Sequence, residues 1–239
     1  MTHELWPGGP RFKDGGGVFP LGMDAVLLAH FAKAGGAKRA IDLGCGSGVI
    51  PVLLAWDNPE LIIDGVEIEP RAKKLAEKNA ELSGFSDRVT VYNTDLRDHR
   101  TLFPSGAYDL AVSNPPYFAR GSGKMPPDEA LASARGEESC TLADVCRAAG
   151  YLTRWGGSFA LVHRPERLAD IFCSMRETGF EPKRLRFVQH KPASKPSLVL
   201  IEGRRGGNPS LEIEAPLILT RDDGTDSDEI KMIYRRETP

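Results

Sequence analysis

The sequence predicts an α/β protein built on a mostly parallel sheet with helices packed on both faces. Three observations carry this expectation. From residue 40 onwards, short apolar runs alternate with segments of helical character. Several of these runs, such as 61–63, 110–112 and 159–162, are apolar at consecutive positions, as strands covered on both sides must be. A glycine-rich turn joins the first run directly to a helix, which is how a parallel strand begins its crossover.

The elements follow in order. Residues 1–22 are rich in Gly and Pro and read as an irregular arm. Asp24 precedes the apolar stretch 25–32 and is placed to cap it as a helix, which Gly35-Gly36 closes. Residues 40–43 form the first strand, 44–48 the turn and 49–56 a helix; Pro51 sits in its first turn, where a missing N–H costs no intrahelical bond. The second strand is 61–67, and a helix over 70–82 starts at Pro70 and stops before Gly84. Residues 89–92 form a third strand, ending near Asp95, and 108–113 a fourth. A loop over 121–127 and a helix over 142–151 follow. Gly156-Gly157 is expected to turn the chain into a fifth strand at 158–162, and a helix over 165–178 ends at Gly179. Residues 184–188 and 197–202 read as a C-terminal antiparallel strand pair around a polar loop. No repeat interrupts this order, so one domain is expected: an arm and helix (1–39), a core (40–205) and a C-terminal extension (206–239).

Composition narrows the class. A chain of 239 residues with 41% hydrophobic and 27% charged positions can bury one substantial core. Cys45, Cys140, Cys146 and Cys173 form no CxxC pair and have no His at ligand spacing, so no metal site is expected. There is no basic-then-apolar leader and no run of about 18 apolar residues, so the expected location is the cytoplasm. The net charge of −2 excludes whole-molecule attraction to nucleic acid. It hides an uneven distribution, however: Lys183, Arg184, Arg186, Lys191, Lys195, Arg204 and Arg205 lie close together in the chain, where they form either a solvated face or a local basic surface.

Asp42-Leu43-Gly44-Cys45-Gly46-Ser47-Gly48 is a D-x-G-x-G-x-G run between strand and helix. Its glycines permit torsions closed to other residues and let a ligand approach the main chain, and the following helix start offers N–H groups to an anionic group. Glu67 ends the next strand and can accept both hydroxyls of a ribose. A dinucleotide fingerprint counted from Gly44 needs a third glycine where Val49 stands. Asp95 closes the third strand either as a simple cap or as a ligand contact, with Leu96 beside it.

Asn114-Pro115-Pro116-Tyr117 follows the fourth strand at the same edge. The two prolines fix the backbone and remove two donors, leaving carbonyl acceptors. The Asn114 side chain and the Pro115 carbonyl can take both N–H bonds of an arylamine and aim its lone pair, while Tyr117 offers a ring to stack on a flat base. Alone, a diproline is a rigid turn; behind the glycine turn it is a candidate catalytic element.

Together the two motifs resemble class I S-adenosylmethionine-dependent methyltransferases that act on amino nitrogens. That resemblance implies a Rossmann-like, mostly parallel seven-stranded sheet with S-adenosyl-L-methionine as cofactor. Asp42, Gly44, Cys45, Gly46, Gly48, Glu67, Asp95, Leu96 and Asn114 would form the cofactor site, and Asn114, Pro115, Pro116 and Tyr117 the catalytic element. The likeness extends to residues 19–28, 165–168, 182–185, 191–202, 215–218 and 228–234, which are similar to the bacterial tRNA1(Val) adenine-N6 methyltransferase family. It implies an RNA substrate, a tRNA adenosine 3′ to the anticodon. The sequence departs from that family at Gly136, where a His is usual, and at Thr225-Asp226-Ser227-Asp228. The alternatives are a glutamine methyltransferase acting on release factors, which needs more than the 41 residues preceding Asp42 for its helical domain, a DNA adenine methyltransferase, and a non-enzymatic nucleotide-binding module.

Overall fold

The computed structural model describes residues 2–13, 21–32, 34–115 and 140–235. The chain opens with a hairpin of β1 (Thr2–Glu4) and β2 (Arg11–Lys13), followed by α1 (Met23–Phe31). β3 (Arg39–Leu43), α2 (Val49–Asp57), β4 (Ile62–Glu67), α3 (Pro70–Leu82) and β5 (Val89–Asn93) form one half of the core. After α4 (His99–Leu102), the second half runs through β6 (Tyr108–Ser113), α5 (Leu142–Leu152), β7 (Thr153–His163), α6 (Leu168–Glu177), β8 (Phe180–Gln189) and β9 (Pro196–Arg205). Two short strands, β10 (Glu212–Ile213) and β11 (Leu217–Ile218), precede α7 (Asp228–Ile233).

The seven strands expected from the sequence are β3 to β9, and β10 and β11 extend the sheet at its β8 edge, in the order β10-β8-β9-β7-β6-β3-β4-β5. β9 runs antiparallel to both neighbours, and every other pairing is parallel. Alternation along each strand sends side chains into two separate cores. Ala40, Leu110, Val112, Ala160 and Val162 join Leu27, Leu28, Val52 and Leu54 on one face. Ile41, Leu43, Ala111, Phe159 and Leu161 join Val145, Ala149, Ile171 and Met175 on the other. α3 lays Ala72, Ala76 and Ala80 inward, and its first turn is capped by the Glu69 carboxylate accepting from the Arg71 N–H.

The structure differs from the sequence expectation at three places. The arm is not wholly irregular: its hairpin is held by the tertiary structure, with the Lys13 N–H donating to Asn79 Oδ1 (2.8 Å) and Trp6 packing edge-on against Trp56. Gly22, not Asp24, occupies the cap position of α1, and Asp24 lies inside its first turn, where an acid still suits the helix dipole. Gly156-Gly157 does not turn the chain. β7 already starts at Thr153, and its pairing to β6 steps from Tyr108↔Thr153 to Leu110↔Ser158, so residues 154–157 bulge out of register. Among the described residues no helix is long and apolar enough to cross a membrane.

Candidate active site

The strand order places a topological switch between β3 and β6, because β3 leads to β4 and β5 on one side and the chain then crosses back to β6 on the other. At the carboxyl ends of such strands the connections diverge and leave a crevice. A cavity of about 200 Å³ opens there, and its described wall includes Leu43, Gly44, Glu67, Ile68, Thr94, Asp95, Leu96, Asn114, Pro115 and Cys140. The parallel register aligns Asp42 with Val112, so the two strands end together, and Gly44 and Asn114 both line this cavity. Ser113, fully buried, locks this juxtaposition by donating its hydroxyl to the Leu43 carbonyl at 2.7 Å.

The glycine turn is stitched to β4. Gly44 and Cys45 both donate their N–H groups to the Val66 carbonyl, and Gly46 donates to Glu67 Oε2 at 2.8 Å. Gly48 donates to the Cys45 carbonyl. The N–H groups of Gly44, Cys45, Gly46 and Gly48 are therefore spent inside the protein. Gly44, Gly46 and Gly48 all have positive φ, but their surroundings differ. A Cβ on Gly44 or Gly46 would meet nothing within 4 Å, whereas one on Gly48 would lie 2.9 Å from the Ala76 Cβ of α3. Gly48 thus serves helix packing and lies off the cavity wall. Cys45 also points inward, its sulfur against Gly65.

Asp42 is fully buried, and neither carboxylate oxygen has a hydrogen-bond partner among the described residues. Burial, reinforced by the nearby Glu67 charge, holds its carboxyl well above the ordinary carboxylate range. Glu67 accepts from Gly46 and Glu69 N–H groups with one oxygen each, and a carboxylate so held still has lone pairs for two hydroxyls. Asp95 is the cap considered for it, and it also stands at the cavity. Its side chain caps the 3₁₀ turn Leu96–Asp98 by accepting from the Arg97 N–H, pairs with the Arg97 guanidinium, and also lines the cavity. Cys140 is pushed up to about 12, chiefly by burial and then by Asp144 and Asp95, so it is a neutral thiol rather than a nucleophile.

These features fit S-adenosylmethionine, whose methionine end carries a sulfonium and an ammonium. Glu67 and Asp95 line the described wall, Asp42 lies buried beside Glu67, and the described wall residues include no Lys, Arg or His. Pro116 and Tyr117 lie outside the described residues. Sequence reasoning missed Thr94, Ile68 and Cys140. Ile68 is half exposed directly after Glu67, and an isoleucine left in the open beside a strand-end acid was the available signal. It also missed Asn79, which is buried in α3 and donates to the Ser47 carbonyl of the turn while accepting from Lys13.

The basic segment divides by partner. Arg184 pairs with Glu202 and Glu214, Arg186 with Glu229, and Lys183 donates to the Asn208 carbonyl. Lys191 and Lys195 are exposed on the turn between β8 and β9, at the same sheet edge as the cavity.

A sheet of this order, with its reversed penultimate strand and a crevice walled by acids at the switch point, is the architecture of the class I methyltransferases. The chain is one of them, an S-adenosylmethionine-dependent enzyme. Residues 16–134 match the family model described as a methyltransferase small domain. The chain is 34% identical over 191 residues to a tRNA1(Val) (adenine(37)-N6)-methyltransferase of Porphyromonas gingivalis, covering 77% of this chain and 74% of that one. It is 38% identical over 143 residues to a protein of the same name from Yersinia pseudotuberculosis, covering 59% and 56%. Among solved structures it is similar in fold to a predicted O-methyltransferase from Agrobacterium tumefaciens (TM-score 0.73, 22% identity, 89% and 96% coverage). It is also similar in fold to geranyl diphosphate methyltransferase in complex with S-adenosylmethionine (TM-score 0.56, 15% identity, 76% and 84% coverage). The chain belongs to the tRNA1(Val) (adenine(37)-N6)-methyltransferase family.

Proposed function

We propose that this enzyme methylates the exocyclic N6 amine of adenine in RNA, the tRNA adenosine 3′ to the anticodon, in the cytoplasm. The observation that carries this reading is that Gly44 and Asn114 line one cavity, with the residues before them, Leu43 and Ser113, hydrogen-bonded to each other. It is supported by the activity for which the relatives are named.

Bound in the cavity, S-adenosylmethionine supplies an electrophilic methyl group on sulfur. Glu67 would take its ribose hydroxyls, Asp95 and Leu96 would meet the adenine, Ile68 would cover the flat ring, and Gly44 and Gly46 would leave room for the methionine end. Asp42 would add buried negative charge near that end once the cationic cofactor favours its ionised form. The Asn114 side-chain oxygen and the Pro115 carbonyl accept the two N–H bonds of the substrate amine and turn its lone pair towards the methyl group. These two acceptors would stabilise the positive charge that develops on the nitrogen as it takes the methyl group from the sulfonium. The nitrogen then releases a proton to water, so no strong base is required. The adenosine must leave its stack to enter, which favours a loop position.

The test is incubation with isotopically labelled cofactor and total bacterial RNA, followed by nucleoside mass spectrometry. Labelled N6-methyladenosine in tRNA is expected. Label confined to methylglutamine in a parallel protein digest would replace RNA with protein as the substrate.

A further inference from the structure

Opposite the active site, at the amino edge of the sheet, the bulge in β7 creates a second feature. Residues 154–157 leave register with β6, and Trp155 emerges 73% exposed, more than any other large apolar side chain described. Its indole is not loose. It rests on Gly206, where even a Cβ would lie 2.1 Å from the ring, so one face is packed while the side chain stays open to solvent. A rigid aromatic plate of this kind is a stacking platform.

Two guanidiniums converge at Gly156, next to Trp155 in the bulge. The terminal nitrogens of Arg154 and Arg204 each lie 3.9 Å from the point above Gly156 where a Cβ would stand. Arg154 is aimed by Asp109, which accepts its Nε–H at 2.5 Å and is itself fixed by the Lys38 and Arg39 N–H groups. Arg204 makes no ion pair among the described residues: its cross-strand neighbour Glu181 is already held by both nitrogens of Arg176. Arg205 adds a further positive charge beside them, donating to the Thr153 carbonyl. A cavity of about 220 Å³ lies between the two guanidiniums, walled by Gly35, Gly36, Asp109 and Ser158.

We infer that this edge is a second RNA-binding site, in which an unpaired base stacks on Trp155 and its flanking phosphate sits between Arg154 and Arg204. The inference rests on the reading of RNA as the substrate. Planar stacking beside two converging guanidiniums is the combination that single-stranded nucleotides require, and it recognises any base. β7 spans the sheet, so the plate stands roughly 25 Å from the methyl-transfer site at 3.3 Å per residue. It therefore grips RNA away from the reacting adenosine and contributes to affinity, not to chemistry.

The experiment measures tRNA binding and methyl transfer separately for the wild type, Trp155→Ala, Trp155→Phe and Arg204→Ala, with thermal unfolding as the folding control. Trp155→Ala should weaken tRNA binding by about tenfold and raise KM with kcat unchanged, while Trp155→Phe restores most of the affinity. Arg204→Ala should lower the slope of log affinity against log salt by about one. Methylation of RNA with affinity indifferent to all three changes would overturn this site and leave the proposed function standing. RNA binding that depends on Trp155 without methylation of any RNA would keep the site and overturn the function. Indifferent RNA affinity, with self-association of the wild type lost in Trp155→Ala, would make the plate a protein interface and overturn the inference.

Discussion

The Ser113 hydroxyl donates to the Leu43 carbonyl at 2.7 Å, both residues buried at the ends of adjacent strands. One residue later the two chains carry Asn114 and Gly44, so this bond fixes the spacing between the candidate catalytic element and the cofactor turn. Ser113→Ala should cost about 1–2 kcal/mol of stability by leaving a buried acceptor unpaired. It should also slow turnover by about tenfold through misplacement of Asn114. Denaturant unfolding and steady-state kinetics read the two effects. Loss of stability with unchanged turnover would make the bond purely structural.

Asn79 joins the Lys13 N–H of the hairpin to the Ser47 carbonyl of the glycine turn. Asn79→Leu should lower stability by about 1–2 kcal/mol, since the part-buried hydrogen bonds to the Lys13 N–H and the Ser47 carbonyl are both lost. Cofactor affinity should fall with it, because the turn is released from α3. Calorimetric titration with S-adenosylhomocysteine checks this, and unaltered affinity would detach the hairpin from cofactor binding.

Asp42 gives a pH signature. Unfolded, its carboxyl titrates in the ordinary range; folded, burial keeps it protonated to a higher pH. Between those limits the native state binds the extra proton. The stability of the ligand-free protein therefore falls as pH rises through that window, by about 1.4 kcal/mol per pH unit, and is fully present below it. Asp42→Asn should remove this slope. Cofactor affinity of the wild type should rise with pH over the same window, as the cationic methionine end favours the ionised form, and the variant should show no such rise. Unfolding and titration across a pH series measure both.

Much of this arrangement was legible in the residues. The helix over 70–82 announced itself through Pro70 at its start and Gly84 beyond its end, and Tyr108–Ser113 through consecutive apolar positions. The alignment of Gly44, Glu67, Asp95 and Asn114 on one edge followed from the alternation of strands and helices. What local pattern could not show was tertiary. The hairpin Thr2–Glu4 with Arg11–Lys13 is too short and polar to signal itself and depends on α3 and Trp56. The ion-pair partners of Arg184 and Arg186 lie up to 43 positions away, so a basic run that looked uniform splits into internal ion pairs and exposed lysines. The β7 bulge arises from pairing with β6, where two glycines in sequence read only as a turn.

That division bears on RNA binding at the active-site edge. Lys191 and Lys195 project from the β8–β9 turn, which Ser194 braces by accepting from the Lys191 N–H and donating to its carbonyl. Replacing both lysines with Gln should weaken tRNA binding and reduce its salt slope by roughly 1.5–2, with kcat retained at saturating RNA. Filter binding over a salt series measures it. An unchanged slope would show the two lysines to be solvated only.

The account stands most directly on Asn114→Ala, assayed for cofactor binding by calorimetry and for methyl transfer to tRNA under single-turnover conditions. Cofactor affinity should stay within a few-fold of the wild type while the rate of methyl transfer falls by roughly a hundredfold or more, as when an acceptor serving the transition state is removed. A variant that transfers methyl groups at the wild-type rate would contradict the assignment of Asn114 to the reacting amine.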